Sequence, residues 1–298
     1  MKKEYVYPSL PTGYREMMNY IEKELSGEGH LAFSYLGSTL FGKGIPLLAL
    51  GDTEAKEAYL YVGAHHGMEH ITSSLLLTFA KDYLEEAKAG GAPPYLIYVA
   101  PMLNCDGVDI EINGVPSDCP LRERLIRMNG SEDFSKWQAN GRGVDLNHNY
   151  DAGFRRYKEI EGRLGITGGA PTKYSGEYPE SEPEVGALCN FIRFNDNIKG
   201  CLTLHTQGEE IYFGDSSRVP RAEEIAARLG ELTGYTVCRP EGTALYGGMT
   251  DWATSSLGIP SFTVECGRGE NPLPSSDLAA VYSRLRPLLF TFPEALGA

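Results

Sequence analysis

An α/β fold built on a largely parallel or mixed sheet is predicted for this 298-residue chain, and three observations predict it. Short apolar runs alternate with longer stretches of helical periodicity. With 42% hydrophobic and 22% charged residues the chain can bury a substantial core. No internal repeat, low-complexity tract or linker interrupts it, so residues 1–298 read as one domain.

The elements follow in order. Residues 14–25 have the spacing of an amphipathic helix. Residues 46–50 and 59–62 read as neighbouring strands, with the turn between them opening at Gly51-Asp52-Thr53. The strongest helix spans 71–86, apolar at Leu75, Leu76, Phe79, Tyr83 and Leu84. Residues 95–102 form a buried strand. Residues 105–179 are rich in Gly, Asn, Asp and Arg with little periodicity, and read as a long irregular insertion of the kind that carries function. A helix is expected within 179–195, and two more strands at 200–204 and 261–264.

Charge and cysteine usage narrow the function classes. Forty acidic against 27 basic residues leave a net charge of −13, so the chain does not advertise binding to nucleic acid or to an anionic membrane surface. Its six cysteines are scattered without a CxxC pair, and reduced thiols are expected. The segment Met1-Lys2-Lys3-Glu4-Tyr5 leads into no apolar run, and no segment is long enough to span a bilayer. A cytoplasmic protein is the expectation.

The most informative segment is Gly63-Ala64-His65-His66-Gly67-Met68-Glu69-His70. It offers an imidazole and a carboxylate, His66 and Glu69, directly after an apolar run at 59–62. His205 follows another such run at 202–204. Open α/β sheets place ligands at the carboxyl edge of their strands, and a catalytic zinc takes three protein ligands of these types. A rival reading exists, because His66-Gly67-Met68-Glu69-His70 also fits the H-x-x-E-H pattern, in which two histidines on one helix face hold the metal. Gly63 and Gly67 make that stretch a poor helix interior. His66 therefore reads as loop and Glu69 as the start of the helix, with His65 and His70 flanking the site.

Six segments in this order resemble the zinc carboxypeptidase (funnelin) family. They are His66-Gly67-Met68-Glu69, Pro101 to Gly107, Gly143-Val144-Asp145-Leu146-Asn147, Leu204-His205-Thr206, Gly247 to Trp252, and Ser261-Phe262-Thr263-Val264-Glu265. The resemblance implies a single α/β domain with a mixed, mostly parallel, eight-stranded twisted sheet flanked by helices. It implies one Zn2+ held by His66, Glu69 and His205. It makes Glu265 the catalytic base, Arg127 the donor that stabilises the oxyanion, and Asp145 the carboxylate that orients His66.

Two stretches, His205 to Tyr212 and Glu265 to Pro274, look most like γ-D-glutamyl-diamino acid peptidases that act on murein peptides. One departure argues against ordinary C-terminal exopeptidase specificity. The family's Asn-Arg pair, which clamps a terminal carboxylate, reads here Asn147-His148, and imidazole offers no bidentate fork. Arg268 is expected to take over carboxylate binding. Tyr246 stands nearest to the family's mobile tyrosine, though closer to Gly247-Gly248 than the family spacing requires. Thr250 falls where side-chain specificity is set. The expected activity is hydrolysis of the amide between γ-D-glutamate and meso-diaminopimelate in a small murein peptide. The alternatives are a conventional metallocarboxypeptidase acting on α-linked C-terminal residues, and an inactive peptide-binding homologue that retains its metal.

Overall fold

The architecture is that of a computed structural model describing residues 5–215 and 217–297. Residues 1–4, read above as leading into no apolar run, lie outside the described residues. Eight strands form one sheet: β1 (Leu31–Ser38), β2 (Gly44–Gly51), β3 (Ala58–Val62), β4 (Leu96–Ala100), β5 (Ile198–His205), β6 (Glu210–Phe213), β7 (Thr236–Cys238) and β8 (Ser261–Glu265). Their order is β1-β2-β4-β3-β5-β8-β6-β7. The central four, β4-β3-β5-β8, run parallel, and antiparallel pairs flank them at β1·β2, β2·β4 and β6·β8. This is the mixed, mostly parallel sheet that was expected.

One expectation about neighbours fails. β2 and β3 follow each other in the chain, yet they do not pair, because β4 lies between them. A short connection between apolar runs says nothing about which strand later inserts. The helices are α1 (Tyr14–Tyr20), α2 (Ile71–Gly90), α3 (Cys105–Asn113), α4 (Arg122–Asn129), α5 (Phe154–Arg163), α6 (Pro183–Arg193), α7 (Ala222–Thr233), α8 (Met249–Trp252) and α9 (Leu278–Leu296). The segment 105–179 is thus not wholly irregular, since it carries α3, α4 and α5.

The sheet is covered on both faces, which is why its central strands are apolar throughout rather than alternating. On β3, Tyr59 and Tyr61 join the core shared with α1, α2, α7 and α9. Ala58, Leu60 and Val62 point the other way, into the core shared with α6 and α8. Each fully buried side chain of this size contributes ~1.5–3 kcal/mol, so the two cores hold the parallel strands in register. Val62 then faces Thr203 on β5, and His205 faces Glu265 on β8. Three carboxyl strand ends meet at one edge. No helix among the described residues is long and apolar enough to cross a membrane, and the six cysteines are free.

Candidate active site

The loop after β3 is built for close approach. A Cβ on Gly67 would lie 2.5 Å from the Gly107 carbonyl oxygen and 2.7 Å from that of Trp137, so only glycine fits there. The Gly67 and Met68 N–H groups donate to the carbonyls of Gln138 and Trp137, both at 2.9 Å. His66 keeps an extended backbone (φ −103°, ψ 139°), a single 3-10 turn follows at Gly67–Glu69, and α2 begins at Ile71. The H-x-x-E-H reading is thereby excluded, because its two histidines do not share a helix face. His70 turns away from His66 and stands 3.7 Å from Glu111.

Three side chains converge at the edge. His66 Nδ1 lies 2.9 Å from Glu69 Oε1, His205 Nδ1 lies 3.0 Å from Glu69 Oε2, and the two Nδ1 atoms are 3.3 Å apart. Among the described residues these three form the group able to hold a metal ion. Four-coordinate Zn2+ with bonds of ~2.0–2.1 Å places neighbouring ligand atoms about 3.3–3.4 Å apart, which matches the separation of the two imidazoles.

The donor chemistry agrees. His66 Nε2 sits 3.1 Å from Asp145 Oδ1. Donating its proton there, a neutral His66 turns a bare lone pair at Nδ1 toward an anionic carboxylate and a second imidazole nitrogen. Only a shared cation or an added proton makes such a cluster favourable. Burial acts to raise the Glu69 carboxyl, but with the added proton in place the charge and hydrogen bonds of the two histidines prevail and hold it below the usual carboxylate range. His65 is fully buried, stacks on His205 and hydrogen-bonds the Tyr150 hydroxyl at 2.9 Å. Burial, then repulsion from His205 and His66, keeps it neutral.

A cavity of about 480 Å3 opens over this group. Glu265 lies on its wall, its carboxyl pushed well up, first by burial and then by the neighbouring Glu69 carboxylate. Asn147, His148 and Thr250 also line it, whereas Arg127, Tyr246 and Arg268 do not. Arg127 is exposed in the last turn of α4. Arg268 is 72% exposed and pairs with Glu209 at 2.7 Å. Tyr246 lies under the Arg156 guanidinium, 5.7 Å from the ring centroid, and its carbonyl accepts from His148 Nδ1 at 3.1 Å.

His148 is stacked on Tyr157 at 3.8 Å, and burial outweighs the opposing pull of Asp145 and keeps the ring neutral. Thr250 shares a 2.8 Å hydroxyl contact with Thr263 at the cavity wall. Two polar wall residues, Gln138 and Lys173, are not singled out by the sequence, and Asp251 enters only as part of the Gly247 to Trp252 segment. Asp251 pairs with no cation among the described residues, and burial lifts its carboxyl to about 6.

Metal ligands at the carboxyl ends of two parallel strands, with a carboxylate at the end of a third beside them in an open cavity, define a metal-dependent hydrolase. Comparison with known proteins specifies the class. The chain belongs to the zinc carboxypeptidase family, whose profile matches residues 17–286, and it is a zinc peptidase. It is 32% identical over 281 residues to "Gamma-D-glutamyl-L-diamino acid endopeptidase 1" of Lysinibacillus sphaericus, covering 90% of this chain and 69% of that one. It is 28% identical over 254 residues to carboxypeptidase B of Rattus norvegicus, covering 78% and 57%. Among solved structures, carboxypeptidase A from Helicoverpa armigera superposes with a TM-score of 0.73 at 16% identity, covering 96% and 73%. The murein-tripeptide amidase of Escherichia coli O157 superposes at 0.55 with 20% identity, covering 89% and 94%.

Proposed function

We propose that this zinc peptidase hydrolyses the amide between γ-D-glutamate and a diamino acid, meso-diaminopimelate above all, in small murein peptides. The observation that carries this reading is the state of His148. Where the resemblance leads one to expect an arginine for an α-linked C-terminal carboxylate, there is a neutral ring fixed by the Tyr246 carbonyl and stacked on Tyr157. The similarity to an endopeptidase named for that bond supports it.

His66, Glu69 and His205 would hold the zinc, which when bound would supply Lewis-acid chemistry for the scissile carbonyl and for a water whose pKa it brings towards ~7. Glu265, on the wall beside that group, accepts the proton of the attacking water and returns it to the leaving amine. Asp145 holds His66 in the tautomer that leaves Nδ1 free. Gln138 lines the cavity with its side-chain oxygen taken by the Thr172 hydroxyl, which leaves its amide N–H groups for the developing oxyanion. For Arg127 to take that role, α4 has to carry it inward from an exposed position.

The test is mass spectrometry of L-Ala-γ-D-Glu-meso-diaminopimelate incubated with zinc-loaded protein, with Glu265→Gln as control. Release of L-Ala-D-Glu and free diaminopimelate by the wild type alone supports the proposal. Cleavage confined to α-linked C-terminal residues assigns a conventional carboxypeptidase. Zinc retention without turnover of either substrate assigns a peptide-binding homologue.

A further inference from the structure

We infer that Lys173 is the anchor for a substrate carboxylate, the task that the sequence had given to Arg268. The inference rests on the proposed murein-peptide reading for its choice of ligand, though not for its geometry.

Charge balance in the cavity is the first argument. Six carboxyl side chains line it (Glu69, Asp145, Glu210, Asp251, Glu265 and Glu270), against a single Lys or Arg, which is Lys173. A peptide bearing several carboxylates meets net repulsion there, in a chain already at −13. Zinc offsets part of it at the scissile bond and nothing at the far end of the ligand. Lys136 at the rim is taken up by Glu270, so Lys173 is the lining cation in place to do so. It makes no ion pair among the described residues, whereas Arg268 and Arg284 are both held by Glu209.

Backbone placement is the second argument. Lys173 adopts a left-handed conformation, φ 64°, at a cost of ~1–2 kcal/mol for a residue with a Cβ. It is held there from both sides. Its N–H donates to Asp145 Oδ2 at 3.0 Å, and its carbonyl accepts from the Tyr157 hydroxyl at 3.4 Å. Tyr157 is the ring on which His148 stacks, and Asp145 is the carboxylate that orients His66. The lysine is therefore indexed to the metal group and to the Asn147-His148 wall together. A strained backbone clamped by two groups of the site is what a binding position requires, and an idle surface lysine does not.

Two carboxylates compete for the role, one on the released diamino acid and the α-carboxylate of γ-linked D-glutamate. Calorimetric titration separates them, with free meso-diaminopimelate and L-Ala-D-Glu as probes on zinc-loaded wild type, Lys173→Met and Lys173→Arg. Lys173→Met is expected to weaken one probe at least 10-fold and to raise KM for the tripeptide by a similar factor. Zinc content and Tm stay unchanged, and Lys173→Arg restores most of the loss. The probe that weakens identifies the carboxylate. Unchanged affinity for both probes, with KM also unchanged, overturns the assignment. If the wild type leaves the tripeptide intact but binds a probe through Lys173, the anchor stands and the murein-peptide reading falls.

Discussion

Glu265 ends β8 in register with His205 on β5, so the proposed general base and a metal ligand are separated by one interstrand spacing. Replacing it with Gln keeps the shape and removes the proton acceptor. Turnover is expected to fall by ~10²–10⁴ with zinc content unchanged; loss of zinc in parallel would show that Glu265 is instead holding the metal. Gln138→Ala is expected to lower kcat by about 10- to 100-fold, with Arg127→Ala within a few-fold of wild type. The reverse order would mean that α4 swings in during turnover. His66, Glu69 and His205 were legible in the sequence because each follows an apolar run that becomes a parallel strand, and Glu265 was legible through the family resemblance. Gln138 and Lys173 were not. They lie in aperiodic chain, and what brings them to the cavity is tertiary: the Gly67 N–H donates to the Gln138 carbonyl, and the Lys173 N–H to the Asp145 carboxylate.

The loop from His66 to Glu69 works as an element because it has no room to move. A methyl at Gly67 meets two backbone carbonyls rather than a flexible side chain, and neither can yield without shifting α3 or the irregular segment at Trp137. Gly67→Ala is expected to destabilise the fold by ~1–3 kcal/mol and to weaken zinc at least 10-fold, measured by thermal unfolding and competition with a chelator. Wild-type zinc affinity would contradict this account of the loop. Among the elements, the long periodic α2 and the apolar β3, β5 and β8 were readable from pattern alone. β6 and β7 are only 4 and 3 residues long, too short for a period to show. The order of β2, β4 and β3 depends on long-range pairing that local sequence does not encode.

At the scale of the whole molecule, the α/β class and the eight-stranded sheet followed from the alternation of runs and from the family resemblance. Buried charge did not. Glu184, at the start of α6, is fully buried beside Asp106 and Glu182, with one oxygen 3.3 Å from Asn140 Nδ2. Burial raises its carboxyl to about 8, with those carboxylates adding to it. For an acid raised on folding, the stabilising contribution is complete below its unfolded value and is lost as pH rises through the folded one. At ~1.4 kcal/mol per pKa unit, stability is expected to fall by ~3–5 kcal/mol between about pH 4.5 and 8. Glu184→Gln should flatten Tm against pH across that interval, and an unaltered curve would place the effect elsewhere. The one carboxylate of Asp145 joins two halves of the site, since Oδ1 receives His66 and Oδ2 receives the Lys173 N–H. A group shared in this way makes cofactor and ligand mutually dependent, and linkage is reciprocal. Whatever factor zinc adds to the affinity for a bound peptide, the peptide must return to zinc. An occupied enzyme should therefore give up its metal more slowly than an empty one, and starvation for either component should be felt by the other.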